Sequence, residues 1–214
     1  MQHLLEGYRR FRAQQWPERR AVFEHLARGG QAPRTMVVAC CDSRVDPTMI
    51  FNAEPGELFI LRNVANLVPP YEPDSAFHAA SAALEFAVRV LEVENLIVMG
   101  HAMCGGIRVL LEGAPDPAGD FLLPWMRIAE PARRRVLARS SADPQSDCEQ
   151  ESVKLSLENL MTFPWIAQRV VEQQVHLAGM IFDIRSGVLS VLDADGSFGP
   201  VQTIPITANA LGET

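Results

Sequence analysis

The stretch TMVVACCDSRV, Thr35 to Val45, holds the transition on which the fold turns. Thr35–Cys40 is short, apolar and rich in β-branched residues, the pattern of a strand buried on both faces. Asp42, Ser43 and Arg44 follow at once, so the strand ends at the first of two adjacent cysteines. A buried cysteine is ordinarily a small hydrophobe. A carboxylate and a guanidinium immediately beyond it do not suit an ordinary core. The ending therefore has three readings: a reactive thiol, a metal ligand, or a core strand that happens to contain cysteine.

Outward from this stretch, GELFIL (Gly56–Leu61) and NLIVMG (Asn95–Gly100) are expected to be two further buried strands. Between them, Ser75–Leu91 is alanine-rich with apolar residues on one face, which predicts a helix. A helix is also expected over Cys104–Leu111, after a glycine-containing turn. Upstream, Leu4, Leu5, Tyr8 and Phe11, then Val22, Phe23 and Leu26, recur at helical spacing. Pro17 is placed to open the second of these helices and Gly29-Gly30 to close it. Residues 115–150 give no clear period. Thr162-Phe163-Pro164 predicts a cap and a first-turn proline for a helix through Gln174. Ala178–Ile184 and Val188–Leu192 read as final strands joined by a hairpin at Arg185-Ser186-Gly187.

Strands alternating with helices predict an α/β fold with a mainly parallel central sheet flanked by helices, preceded by an N-terminal helical arm. No repeat or linker interrupts it. A single domain is expected over 1–214, with the arm at 1–34, the core at 35–192 and a C-terminal tail at 193–214.

The chain has 214 residues, a formal charge of −7, 48% hydrophobic and 21% charged residues. That balance fits a soluble globular protein and disfavours nucleic acid or an anionic membrane as partner. The basic run Arg133-Arg134-Arg135, flanked by Glu130 and Arg139, reads as a solvated helix face. The start of the chain lacks the apolar stretch of a signal peptide, and four cysteines in a chain of this length do not form a disulfide framework. A cytoplasmic protein is expected.

A parallel sheet places its sites at the carboxyl ends of strands, where the strand order reverses. Cys40 ends the first strand and His101 directly follows the third, so neighbouring strands would bring them together. In GHAMCGG, Gly100 to Gly106, His101 and Cys104 are two residues apart, the short spacing by which a turn offers two ligands to one ion. Cys40, His101 and Cys104 thus form a candidate Cys₂His set for zinc with one position left open, the mark of a catalytic site. Asp42 could accept a proton from water in that position or occupy it. Arg44 could hold Asp42 off the metal in a bidentate pair. Gly105-Gly106 is no phosphate loop, because no Lys-Ser/Thr follows; a tight turn at the start of a helix is expected.

The blocks CCDSRV and GHAMCGG, in this order and spacing, resemble the two signature blocks of the β-class carbonic anhydrases. GELFILRNVANLVPP, SAALEFAV, SLENLMTFPW and GMIFDIRSGVL continue the likeness through most of residues 35–192. The resemblance implies Cys40, His101 and Cys104 as zinc ligands, one Zn²⁺ per chain, and Asp42 and Arg44 as the catalytic dyad. It implies reversible hydration of carbon dioxide to bicarbonate and a proton, by attack of zinc-bound hydroxide. It further implies a homodimer or homotetramer built through N-terminal helices and sheet edges. Some bacterial members resemble one another in an inhibitory bicarbonate pocket of Trp, Arg and Tyr. The matching positions are Val37, Arg62 and Phe182, so that inhibition is not expected.

Other functions fit less well. Cys-dependent phosphatases need Cys-x₅-Arg, and the positions six after Cys40 and Cys41 are Asp46 and Pro47. A non-catalytic zinc site would need Asp42 as permanent fourth ligand, against the presence of Arg44. A relative acting on CS₂ or COS would use the same residues. Cys41 is expected to be a packed thiol pointing away from Cys40, and Cys148 an exposed or half-buried one. His3, His25 and His176 are taken as surface or core histidines, His78 as ordinary packing in preference to lining the pocket, and Asn63 and Asn66 as residues that order their loop or shape the pocket. Val64, Ala65 and Leu67, or residues of a partner subunit, are expected to wall the substrate pocket.

Overall fold

The computed structural model describes residues 1–74, 76–115 and 119–202. Their centre is a six-stranded sheet: β1 (Thr35–Cys40), β2 (Leu58–Asn63), β3 (Asn95–His101), β4 (His176–Phe182), β5 (Leu189–Leu192) and β6 (Phe198–Pro200). The order is β2-β1-β3-β4-β5-β6. The first four strands are parallel, and β5 and β6 add antiparallel. β1 leads outward to β2 on one side, whereas β3 pairs with β1 on the other, so the strand order reverses between β1 and β3. Cys40 and His101 are the last residues of those two strands.

β1 is buried along almost its whole length because alternate side chains feed different cores. Met36 and Val38 join the larger cluster with Val98, Leu160 and Phe163, whereas Val37 and Ala39 pack with Met99 beneath Ile50 and Phe51. A third cluster, around Cys40, Ala65, Leu67, Cys104 and Ile107, lies beyond the strand ends.

The chain enters through α1 (Gln2–Arg10) and α2 (Trp16–Gly29), joined without a break by one π-type turn at Phe11–Gln15. Neither buries a residue, and Leu4, Leu5 and Tyr8 are exposed on α1. Pro17 sits at the start of α2, and Gly30 follows it at φ +80, the left-handed stop that glycine supplies. After β1, the short α3 (Pro47–Ile50) is capped by Asp46, whose side chain accepts from Thr48 N and Met49 N.

The helix expected from Ser75 begins at Ala79 as α4 (Ala79–Glu85) and continues through a π-type turn at Phe86–Val90. Ser75 lies outside the described residues. Asp74 turns the chain ahead of the helix: it accepts from Ala76 N at 2.7 Å, and its carboxylate meets His78 Nε2 at 2.6 Å.

α5 (Gly105–Glu112) follows β3. In the region without a clear period stand α6 (Leu122–Met126), α7 (Glu130–Ala138) and α8 (Pro144–Leu160). α8 is opened by Asp143, which accepts from Ser146 N, and by Pro144. It lies against β3 and β4 where glycines make room: a Cβ at Gly100 would stand 2.7 Å from Val153 Cγ2 and 2.8 Å from Ile181 Cδ1.

α9 (Pro164–Val171) is shorter than expected and lacks the Thr162 cap. Thr162 Oγ1 instead accepts from Tyr71 N and donates to Asn159 O, which ties the loop before α4 to the end of α8. The Arg185-Ser186-Gly187 hairpin forms as expected, closed by Asp183 N to Val188 O at 2.9 Å. β6 corrects the reading of 193–214 as a tail at its near end, and 203–214 lies outside the described residues. β6 is three residues long with a glycine at its centre, too short to show a period.

The basic run on α7 is less solvated than its composition implied. Arg135 forms a bidentate pair with Glu158 of α8 at 2.9 and 2.7 Å. The buried Glu151 of α8 faces Arg139 at 3.1 Å, Lys154 at 3.2 Å and Arg135 at 3.8 Å. Burial alone would push the Glu151 carboxyl up; Lys154 and Arg139 more than offset it and hold it below the ordinary glutamate range. A folded-state value below the unfolded one stabilises the fold above the unfolded pKa and is lost as pH falls through the folded value. Glu151→Gln should therefore melt below the wild type at about pH 6, with the gap narrowing as pH falls below the ordinary glutamate value. A gap in melting temperature independent of pH would show that the Glu151 charge does not join α7 to α8.

Candidate metal centre

Cys40, at the carboxyl end of β1, His101, at that of β3, and Cys104, at the head of α5, converge at the reversal in strand order. Their ligand atoms all lie within 4.8 Å of one another, and all three residues are buried. Each position has a local cause. β1 and β3 pair in register up to Ala39–Met99, which sets Cys40 level with Gly100 and His101 one residue beyond it, so both strands end at the same edge of the sheet. The turn after His101 is tight: Met103 adopts φ +59, and Cys104 is extended at φ −67, ψ 120 before the helix begins. Gly106 lets α5 start against the neighbouring loop, since a Cβ there would stand 2.8 Å from Val64 Cγ1 and 3.0 Å from Ala65 Cβ. Gly105 has open space around it, so only the second glycine is sterically required.

His101 Nδ1 stands 2.9 Å from the Ala102 carbonyl. A carbonyl only accepts, so Nδ1 carries the proton and Nε2 presents its lone pair. Nε2 is buried and has no hydrogen-bond partner. The neighbouring Cys104 thiol lowers Cys40, despite burial, and Cys40 together with burial raises Cys104. Burial alone would lower His101, and the neighbouring Cys40 more than offsets it and raises it. An orphaned imidazole nitrogen within 4.8 Å of two buried thiols is a set a dication would complete, displacing the thiol protons. The residues fit a metal ion.

Asp42 stands outside this group of three. Its Oδ2 lies 4.0 Å from His101 Nε2. Both carboxylate oxygens are held by Arg44, with Nε to Oδ1 at 2.9 Å, Nη2 to Oδ2 at 2.7 Å, and the Arg44 backbone N–H to Oδ1 at 3.0 Å. Those hydrogen bonds hold the Asp42 carboxyl far below the usual carboxylate range. Arg44 also donates to Met103 O at 3.3 Å, which links this pair to the turn bearing Cys104. The bidentate pair expected from Cys-x-Asp-x-Arg is formed.

The remaining sequence-named residues separate. Cys41 is exposed, not packed, because the chain leaves the sheet after Cys40 and turns its side chain outward. Cys148 is fully buried, correcting the expectation for its polar stretch; α8 turns that face into the cluster containing Cys104. Asn63 orders its loop, accepting from Leu67 N and donating to Leu67 O, both at 2.9 Å. Ala65 and Leu67 are buried beside Cys40 and Cys104, with Val64 packed against them. His3, His25 and His176 are exposed. His78 lines an open cleft of about 1130 Å³ bounded also by Arg62, Asn63, Val64 and Trp125, and none of the three clustered residues lines it. Val37 is sealed in the core, and Phe182 pairs with His101 across β3 and β4.

With this geometry in place, similarity to known proteins is specific. The carbonic anhydrase family model matches residues 35–189. Beta carbonic anhydrase 3 of Arabidopsis thaliana is 35% identical over 203 residues, covering 91% of this chain and 78% of that protein. The chain belongs to the β-carbonic anhydrase family. The solved structure of the β-carbonic anhydrase CcaA superposes with a TM-score of 0.88 at 34% identity, over 95% of this chain and 92% of the other. A structure from work on two tetrameric β-carbonic anhydrases of Sordaria macrospora gives 0.79 at 27% identity, over 92% and 98%. The chain is thus an enzyme of a family that interconverts carbon dioxide and bicarbonate, and its sheet matches those enzymes' fold. Among the described residues no helix is long and apolar enough to cross a membrane.

Sequence reasoning missed the groups that hold this β-carbonic anhydrase site in shape. Arg62, on β2, donates to the carbonyls of Cys40 (2.9 Å), Asp42 (2.6 Å) and Val45 (3.1 Å), and pairs with Asp46 at 3.2 Å. One guanidinium thereby fixes the whole loop from ligand candidate to helix cap. Glu149 and Gln145 of α8 reach the backbone of Cys104. Only the i,i+4 spacing of these last two was available as a signal, in a segment whose period was unreadable.

Arg62→Met keeps the apolar stem and removes all four contacts. Leaving several loop carbonyls unpaired should cost at least about 2 kcal/mol. At this chain length that corresponds to a fall of roughly 4–8 °C in melting temperature. An unchanged thermal transition would show that the loop holds its shape without Arg62.

Proposed function

We propose that this enzyme catalyses the reversible hydration of carbon dioxide to bicarbonate and a proton, with one zinc ion held by Cys40, His101 and Cys104. The observation that carries the reading is the buried Cys₂His group with its unpartnered Nε2, beside an aspartate whose two oxygens are engaged by Arg44. Zinc, when bound, supplies a Lewis acid that brings the deprotonation of water from ~16 toward pH 7. The thiolates of Cys40 and Cys104 and the neutral imidazole of His101 would hold it and balance its charge, three ligands of a possible four.

The chain's own residues supply the rest. His101 is held in the tautomer that offers Nε2 by its bond to the Ala102 carbonyl. Asp42, acceptor-only while ionised, takes a hydrogen bond from the nucleophile's O–H and so directs an oxygen lone pair at the carbon of CO₂. Arg44 sets the plane of that carboxylate and restrains it from the open position. Ala65 and Leu67, with Val64 beside them, offer CO₂ an apolar wall without hydrogen bonds to compete for it. The products, bicarbonate and a proton, would pass to solvent and buffer. A permanently closed, non-catalytic site is less well supported, since Asp42 lies outside the 4.8 Å group.

A homodimer or homotetramer is the state we propose, supported by the unpartnered Leu4, Leu5 and Tyr8 of α1 and by the tetrameric relatives from Sordaria macrospora. The four free cysteines suit a reducing compartment, in line with a cytoplasmic enzyme.

Cys40→Ser should lose stoichiometric zinc and CO₂ hydration together, read by metal analysis and stopped-flow on the same sample; full activity would overturn the ligand assignment. Asp42→Asn should retain zinc and lose about 10²-fold or more in turnover, the usual weight of a positioned proton acceptor. Unchanged rates would remove Asp42 from the mechanism. Zinc in the wild type without hydration at any pH would favour the closed, non-catalytic site.

A further inference from the structure

We propose that Glu149 and Gln145, one turn apart on α8, are positioning residues that aim the Cys104 sulfur at the metal, an inference that rests on Cys104 being a ligand. Glu149 is only 4% exposed. Its Oε1 accepts from the Cys104 N–H at 2.8 Å and from Gln145 Nε2 at 2.5 Å. Gln145 Nε2 also donates to the Cys104 carbonyl at 3.1 Å. Both backbone polar groups of one residue are therefore gripped by a single helix turn.

Fixing the N–H and the C=O of Cys104 fixes its φ and ψ, and with them the direction of the Cα–Cβ bond. The sulfur is then confined to a few rotamers about a fixed axis. The neighbouring backbone needs such a grip. Met103 sits at φ +59, a region non-glycine residues occupy only when their surroundings impose it. Arg44 holds the Met103 carbonyl from the other side. Cys104 precedes α5 without a side-chain cap of its own. Burying a carboxylate here is costly unless it is well hydrogen-bonded, and a helix cap alone would be satisfied by a neutral acceptor near the surface. The carboxylate is supplied from a different helix, 45 residues on, so α8 and the metal site are mechanically joined.

The test is zinc affinity, measured by competition with a chromophoric chelator, together with the visible absorption of the cobalt(II)-substituted protein. Glu149→Ala should weaken zinc by about 10–100-fold, the range for lost outer partners of a ligand, and should shift the cobalt bands. Glu149→Gln keeps an oxygen for the Cys104 N–H and should recover most of that loss. Gln145→Ala should fall between the two. Leu160→Ala, in the separate core cluster at the far end of α8, is the stability control. It should lower the melting temperature and leave zinc affinity and the cobalt bands unchanged.

A Glu149→Ala protein that binds zinc as tightly as the wild type, with the same cobalt bands, overturns the positioning while leaving Cys104 as ligand. Equal loss of affinity in Leu160→Ala also overturns it, because the effect would then be general loosening. If Glu149→Ala does not fold, the same two measurements on Gln145→Ala decide. A wild type that takes up no zinc overturns the ligand assignment and this inference together.

Discussion

The parallel pairing of β1 with β3 is the constraint on which everything else in this molecule depends. It runs in register from Thr35–Asn95 to Ala39–Met99. Because the chain passes from β1 to β2 on one side and returns to β3 on the other, the crevice between them is open above the strand ends. Cys40 and His101, one register step apart, bring their ligand atoms together there. A slip of one residue would turn each side chain to the opposite face of the sheet. The register is protected by the two cores it divides, Met36 and Val38 on one side and Val37 and Ala39 on the other.

Around that crevice the same logic repeats at smaller scale: a reactive side chain sits on a loop, and a rigid element fixes the loop's backbone. Arg62 reaches from β2 to three carbonyls of the loop bearing Asp42. Arg44 grips Asp42 through Nε and Nη2, and the same Nη2 donates to the Met103 carbonyl. α8 holds Cys104 through Glu149 and Gln145. In the first two cases the anchor is a guanidinium, whose charge makes its short bonds stronger and more directional than neutral ones. The thiols and imidazole themselves stay buried, which suppresses competing hydrogen bonds and leaves Nε2 free for a metal.

The long α8 carries two structures at once. Its last turns close the main core through Leu160, and its first turns bury Cys148 in the cluster of Cys40 and Cys104. Midway, Glu151 meets Arg135, Arg139 and Lys154, so the helix face that looks polar in sequence is spent on ion pairs inside the fold. The glycines at 100 and 179 allow this helix to lie directly on β3 and β4. Packing of the sheet and geometry of the site are therefore not independent.

The sequence by itself determined the strand ending at Cys40, the turn carrying His101 and Cys104, and the Asp42–Arg44 pair, because each rests on local periods and on spacings of a few residues. It also determined the alternation that makes a parallel sheet, and from that the convergence of β1 and β3. Only the tertiary structure decided what faces what across long separations. Cys148 and Cys41 exchange their expected burial because exposure depends on which neighbour covers a residue, not on the polarity of its flanks. Thr162 abandons its cap for Tyr71, ninety-one positions away. β6 needs β5 beside it to be a strand at all. Arg62, Gln145 and Glu149 gain their meaning from backbone groups brought to them by folding, and a backbone carbonyl or amide looks the same at every position of a sequence.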